Sequence, residues 1–75
     1  MKNTITVDVR NTMCPGLYGL LGAVRLAKAG DSIELLTTAD ADQVEIPAWV
    51  AKAKYELTAH KDEGSHWKLL VRRTR

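Results

Sequence analysis

Residues 4–28 read TITVDVRNTMCPGLYGLLGAVRLAK, and the hydrophobic period changes once within them. From Thr4 to Arg10, apolar Ile5, Val7 and Val9 alternate with Thr4, Thr6, Asp8 and Arg10. A period of two gives a strand one dry face and one wet face. From Leu17 onward the apolar positions become Leu17, Leu20, Leu21, Val24 and Ala27, the spacing of a helical stripe. Residues 11–15 connect the two. The helix is expected to end at Gly30, a residue suited to the left-handed position beyond a helix, with Lys28 complementing the dipole of its last turn.

Outward from this βα unit the pattern repeats. Ser32 to about Thr38 forms a second strand with Ile33 and Leu35 on one face. Asp42 and Glu45 stand at capping-box spacing, but Pro47 lacks the N–H that a helix interior uses, so a regular helix is expected to begin near Pro47. Ile46, Trp49, Val50 and Ala53 then share one buried face, and Asp40, Asp42 and Glu45 serve as turn and cap residues. Two further alternating runs carry Tyr55, Leu57 and Ala59, then Trp67, Leu69 and Val71, around a hairpin at Gly64. Facing residues share a face, so a loop of odd length, Glu63 to Ser65 or Lys61 to Ser65, is expected to bring the two apolar sets together. The order βαβαββ, with polar outer strand faces, predicts an α/β two-layer open sandwich whose helices cover one side of the sheet.

A chain of 75 residues builds one modest core, so residues 1–75 are expected to be a single domain. With 45% hydrophobic and 27% charged residues it has the composition of a globular protein. A net charge of +2 is too small to select a polyanion by field strength. Basic residues gather at Lys68, Arg72, Arg73 and Arg75, where they read as a solvated strand end. The single cysteine rules out an internal disulfide framework. The chain starts without the apolar stretch of a signal peptide, and the run from Gly16 to Val24, broken by Arg25, is too short to span a membrane. A cytoplasmic setting with no membrane partner is the expectation.

Chemistry concentrates at Cys14. It lies between a strand end and a helix start, and Pro15 suits the first helical position because the N–H it lacks has no intrahelical partner there. Free N–H groups and the positive end of the dipole at such a start favour the thiolate over the thiol. With no second cysteine, a persulfide on Cys14 has no internal partner with which to form a disulfide, so its sulfur must pass to another molecule. His60 and His66 with one cysteine do not make a zinc spacing, and they alternate onto the side opposite the apolar set; no metal site and no cofactor are expected. Nor is there a glycine-rich phosphate loop, a Ser-His-Asp signature or a catalytic carboxylate pair.

Asp8, the Cys14-Pro15 pair opening one helix, and Glu45-Ile46-Pro47-Ala48-Trp49 opening a second resemble the TusA/SirA-like sulfurtransferase family over nearly the whole chain. The resemblance implies a four-stranded mixed sheet with two helices on one face. It also implies a cysteine, here Cys14, that accepts sulfane sulfur as a persulfide and relays it to a partner, as in tRNA thiolation, sulfur oxidation or molybdenum-cofactor supply. The sequence departs from the family motif Cys-Pro-x-Pro at Leu17, where the second proline would stand. Asn11 and Lys54 replace usual glycines, and Glu45 a usual aspartate.

The leading expectation is therefore a sulfur carrier. Cys14 is the reactive residue, Pro15 and Gly16 set the turn and helix start, and Met13, Leu17 and Tyr18 form an apolar docking rim. The implied partners are a sulfur donor protein, of cysteine desulfurase or rhodanese type, and a sulfur acceptor protein. A non-catalytic interaction or regulatory module of the same fold is the alternative. RNA binding through Lys68, Arg72 and Arg73 ranks last because no stacking aromatics accompany those charges, so no nucleic acid is expected as a direct partner.

Overall fold

The alternating segments become strands and the stripes become helices: β1 (Thr4–Asp8), α1 (Gly16–Leu26), β2 (Ser32–Thr37), α2 (Asp42–Ala53), β3 (Glu56–Asp62) and β4 (Trp67–Arg72). The structure is a computed structural model and describes residues 3–10 and 16–75. The sheet order is β1-β2-β4-β3. A helix between β1 and β2 returns the chain to the same end, so this pair is parallel (Ile5 beside Ile33, Val7 beside Leu35). The hairpin makes β3 and β4 antiparallel, and β4 slots between β2 and β3. The result is the expected mixed, four-stranded, two-layer sandwich.

The central strands β2 and β4 bury Ile33, Leu35, Leu69 and Val71 completely, against Leu20 and Val24 of α1 and Ile46 and Val50 of α2. Trp49 and Trp67, expected in the core, are partly buried and pack against it. The opposite sheet face is laced by ion pairs, Lys68 to Glu34 at 3.3 Å and Arg72 to Glu56 at 3.6 Å. No helix among the described residues is long and apolar enough to cross a membrane.

Helix α1 stops at Leu26, short of Gly30. The cause lies far along the chain. One guanidinium nitrogen of Arg73 donates to the carbonyls of Val24 (2.7 Å) and Ala27 (2.6 Å), capping the helix end. Gly30 does take the left-handed conformation, φ 94°, but uses it in the following turn, where its N–H reaches the Arg73 carbonyl. Asp31 locks that turn, accepting the N–H groups of Lys28 (2.9 Å) and Asn3 (3.1 Å).

Helix α2 begins at Asp42, five residues before Pro47, which sits inside it. Its first turn is closed by short-range bonds from Asp42, Gln43 and Val44 to the carbonyls three residues back. Buried Ile46 and Val50 flank the proline and hold the helix together across the one donor that proline lacks. Lys54 ends the helix in the left-handed region, φ 63° and ψ 32°, a conformation that favours glycine.

The hairpin also departs from expectation. Asp62 faces Trp67, which leaves a connection of even length, residues 63–66. A bulge reconciles this with the apolar match: Leu57 faces Val71 but Ala59 faces Leu70, so Thr58 is the extra residue. Beyond the bulge His60 comes opposite Leu69, and its ring meets Trp67 edge to face at 5.9 Å between centroids. The strict alternation that sets His60 opposite the apolar face thus fails at one inserted residue.

Candidate functional site

The C-terminal ends of β1 and β2 and the N-terminal ends of α1 and α2 converge at one end of the molecule. The parallel pairing of β1 and β2 runs one bond past β1, through the N–H of Val9 to the carbonyl of Leu36 at 2.9 Å. Thr38 then reaches the Arg10 carbonyl through its hydroxyl at 3.4 Å. Arg10 folds back on Asp8, Nη2 to Oδ2 at 2.7 Å, and its guanidinium holds the Asp8 carboxyl down at about 2.

Under this surface lies a buried polar junction. Asp42 is 1% exposed. Its Oδ2 accepts the N–H of Gly16, the first residue of α1, at 3.0 Å, and the hydroxyl of Thr37 at 2.7 Å. The Thr37 oxygen in turn accepts the N–H of Ala39 at 3.1 Å, so the ends of β2, α1 and α2 are bound through two side chains. Gly16 permits this because it has no Cβ: a methyl there would overlap Asp42 Oδ2 and lie 3.0 Å from Asp42 Cγ and 3.2 Å from Leu35 Cδ2. Expected as a cap or turn residue, Asp42 is neither. The N-cap of α2 is Ala41, without a side-chain bond, and the Asp42 carboxyl serves the other helix. One signal was present in the sequence, since Asp42 lies four residues before Ile46 and so on the buried stripe of α2.

Of the residues singled out from the sequence, Cys14, Pro15 and Met13 lie outside the described residues. Gly16 opens α1 and is buried. Leu17 is partly buried and packs against the core, so it supports the helix start from beneath and is not a free rim residue. Tyr18 is 68% exposed, as a docking residue requires, and Val44 in the first turn of α2 is a second large apolar side chain left in solvent, at 73%. The sequence reading had not marked Val44. Beside this end the hairpin forms an open cleft of about 150 Å³ lined by Thr38, Asp62, Ser65, His66 and Trp67, with Ser65 Oγ 2.9 Å from His66 Nδ1. Among the described residues no three His, Cys, Asp or Glu side chains group so as to hold a metal ion.

The basic strand end is committed within the chain. Lys68 and Arg72 pair with Glu34 and Glu56, and Arg73 caps α1. These are the three cations that an RNA surface on β4 would need.

Comparison with known proteins agrees with the geometry. The family model described as Sulfurtransferase TusA matches residues 5–73. A protein of Archaeoglobus fulgidus named "Putative sulfur carrier protein" is 31% identical over 70 residues, covering 92% of this chain and 96% of its own length. The family match spans both helix starts and the hairpin, and the chain belongs to the TusA sulfurtransferase family.

Proposed function

We propose that this protein is a sulfur carrier that holds sulfane sulfur as a persulfide on Cys14 and passes it from a donor protein to an acceptor protein. The observation that carries this reading is the family match across residues 5–73, a span that contains the chain's only cysteine, Cys14, followed by Pro15. The Cys14 thiolate attacks the terminal sulfur of a donor persulfide. A new S–S bond forms, the donor's S–S bond breaks, and the donor leaves as a thiolate. A nucleophile on the acceptor then attacks the terminal sulfur of the Cys14 persulfide, and the Cys14 thiolate leaves in its turn. Neither step changes the net oxidation state, so no oxidant or reductant is consumed. Exposed Tyr18 and Val44 offer the apolar contact that a relay between proteins uses.

Intact-mass measurement after incubation with a persulfide donor tests this. The wild-type chain is expected to gain one sulfur atom that a thiol reductant removes, and Cys14→Ala to gain none. Equal gain by both chains would refute it and leave the non-catalytic interaction module.

A further inference from the structure

Helix α1 is apolar on the side it turns to water as well as on the side it turns to the core. In Gly16–Leu26 the one charged residue is Arg25, whereas α2 carries Asp42, Glu45 and Lys52. A surface helix ordinarily sets charged and polar residues on its outer face. On α1 that face presents Tyr18 and Leu26, both large and well exposed, the latter at 79%, with Gly22 between them. The three stand at i, i+4 and i+8 and so form one ridge along the helix. Its middle is bare: nothing among the described residues lies within 4 Å of a Cβ built at Gly22, and Gly22 is exposed. A second helix can approach the backbone there while side chains engage on either side.

The charges of the chain are sorted along the same axis. At the end where both helices start, Asp40, Glu45 and Glu63 are exposed; at the end where they stop, Arg25, Lys28 and Lys52 are. Among the described residues none of the six is in an ion pair. The opposite charges at each end are offset locally: Arg10 by Asp8, Glu56 by Arg72, and Lys61 adjoins Asp62. Part of this sorting answers the helix dipoles, which favour acids at a start and bases at a stop. Sorted charge also chooses an orientation for a neighbour of the same kind. Two copies side by side in parallel bring like ends together, and two antiparallel copies set each acidic end beside a basic one. The net charge of +2 hides this, because the two ends nearly cancel.

We propose that a second copy of this chain docks on this ridge, in an antiparallel pair of α1 helices related by a two-fold axis at Gly22. Each Tyr18 then lies beside the Leu26 of the other copy, and the two bare glycine backbones meet at the crossing point. Arg25 and Lys28 of one copy face the acidic end of the other. A two-fold contact of this kind is self-complementary, as closed homodimers require. One ridge from each copy is well below the roughly 800 Å² per partner of a stable interface, so the pair is weak, with a dissociation constant on the order of 0.1 mM. Such pairing does not depend on the carrier reading; where both hold, the pair covers Tyr18 and a docking protein must displace it.

The test is sedimentation equilibrium of the full chain over a hundredfold range of concentration about that value. The average mass is expected to rise from 8.3 kDa toward twice that with concentration. Raising the salt from about 0.05 M to about 0.5 M shortens the screening length to a few ångströms and is expected to weaken the pair several-fold. Purely apolar association would hold or tighten. Leu26→Glu, at an exposed position outside the core, is expected to remain a single chain throughout. A single-chain mass for the wild type at every concentration overturns the proposal and leaves the ridge to a different protein. So does a pair that survives Leu26→Glu, or one that salt leaves unchanged or tightens. Should Leu26→Glu fail to fold, nitrogen-15 amide shifts of the wild type on dilution decide. Changes centred on Tyr18, Gly22 and Leu26 support the pairing, and changes centred elsewhere, or none, overturn it.

Discussion

Adding one methyl group at Gly16 is expected to be the most damaging small change in α1, and the same change at Gly22 the most harmless. At Gly16 the new Cβ would overlap Asp42 Oδ2 and crowd Asp42 Cγ at 3.0 Å and Leu35 Cδ2 at 3.2 Å, and neither residue has room to retreat. Overpacking of this kind costs about 1–3 kcal/mol. If the helix start moves to relieve it, the Gly16 to Asp42 bond is lost, a further cost of about 1.5–3 kcal/mol for a hydrogen bond to a charged group. Replacing glycine by alanine in a helix returns about 0.5–1 kcal/mol. The balance for Gly16→Ala is a loss of about 3 kcal/mol, roughly half the total stability of a domain this small. At Gly22 nothing lies within 4 Å of the added Cβ, so only the helix gain of about 0.5–1 kcal/mol remains. Urea melts of both variants read the two signs directly. If Gly16→Ala proves as stable as Gly22→Ala, the packed junction between Gly16, Asp42 and Leu35 does not exist as described.

Two further outcomes follow from the far end of α1. Arg73→Met keeps most of the side chain's apolar length but strips the cap from the Val24 and Ala27 carbonyls, and denaturant melts should show a loss of about 1–2 kcal/mol; an unchanged melt would mean that water caps α1 equally well. Asp31, held below its ordinary value of 3.8 by the N–H groups of Lys28 and Asn3, and Asp8, held at about 2 by Arg10, both have folded values below their unfolded ones. Their contribution is therefore fully present above about pH 5 and drains away as pH falls through 3.8 toward 2. Thermal melts across this range should fall steeply for wild type and less steeply for Asp31→Asn, and parallel curves would assign the acid limb to other groups.

Local periodicity made most of this fold legible because each element is two-faced. The stripe Leu20, Val24, Ala27 and the alternation Ile33, Leu35 are the patterns that the core buries. The failures are places where a distant residue overrides a local signal. Gly30 is a plausible helix stop, but Arg73, 43 positions away, closes α1 earlier. Pro47 is a plausible helix start, yet burial of Ile46 and Val50 carries α2 across it. An even hairpin loop breaks the facing rule unless a bulge intervenes, and nothing in the side chain of Thr58 announces one.

The same distinction governs the candidate site. Cys14-Pro15 is visible because its chemistry is local: a thiol, a proline and a helix start in three consecutive positions. The burial of Asp42 is legible from its place four residues before Ile46, but its partner is not, because Gly16 is 26 residues away and the bond is to a backbone amide, which leaves no mark in the sequence. The family's second proline, had it stood at position 17, would have fixed one backbone angle and removed one N–H from the first turn. Leu17 does neither. It keeps its amide and lays its side chain against the core, while the start of α1 is tied down one residue earlier by a buried acid. The start of α1 is held by packing and a hydrogen bond. Packing and hydrogen bonds are coupled to their surroundings in a way that a proline ring is not, so substitutions in β2 or α2, at Leu35, Thr37 or Asp42, reach the segment that follows Cys14 although none of them adjoins it in sequence.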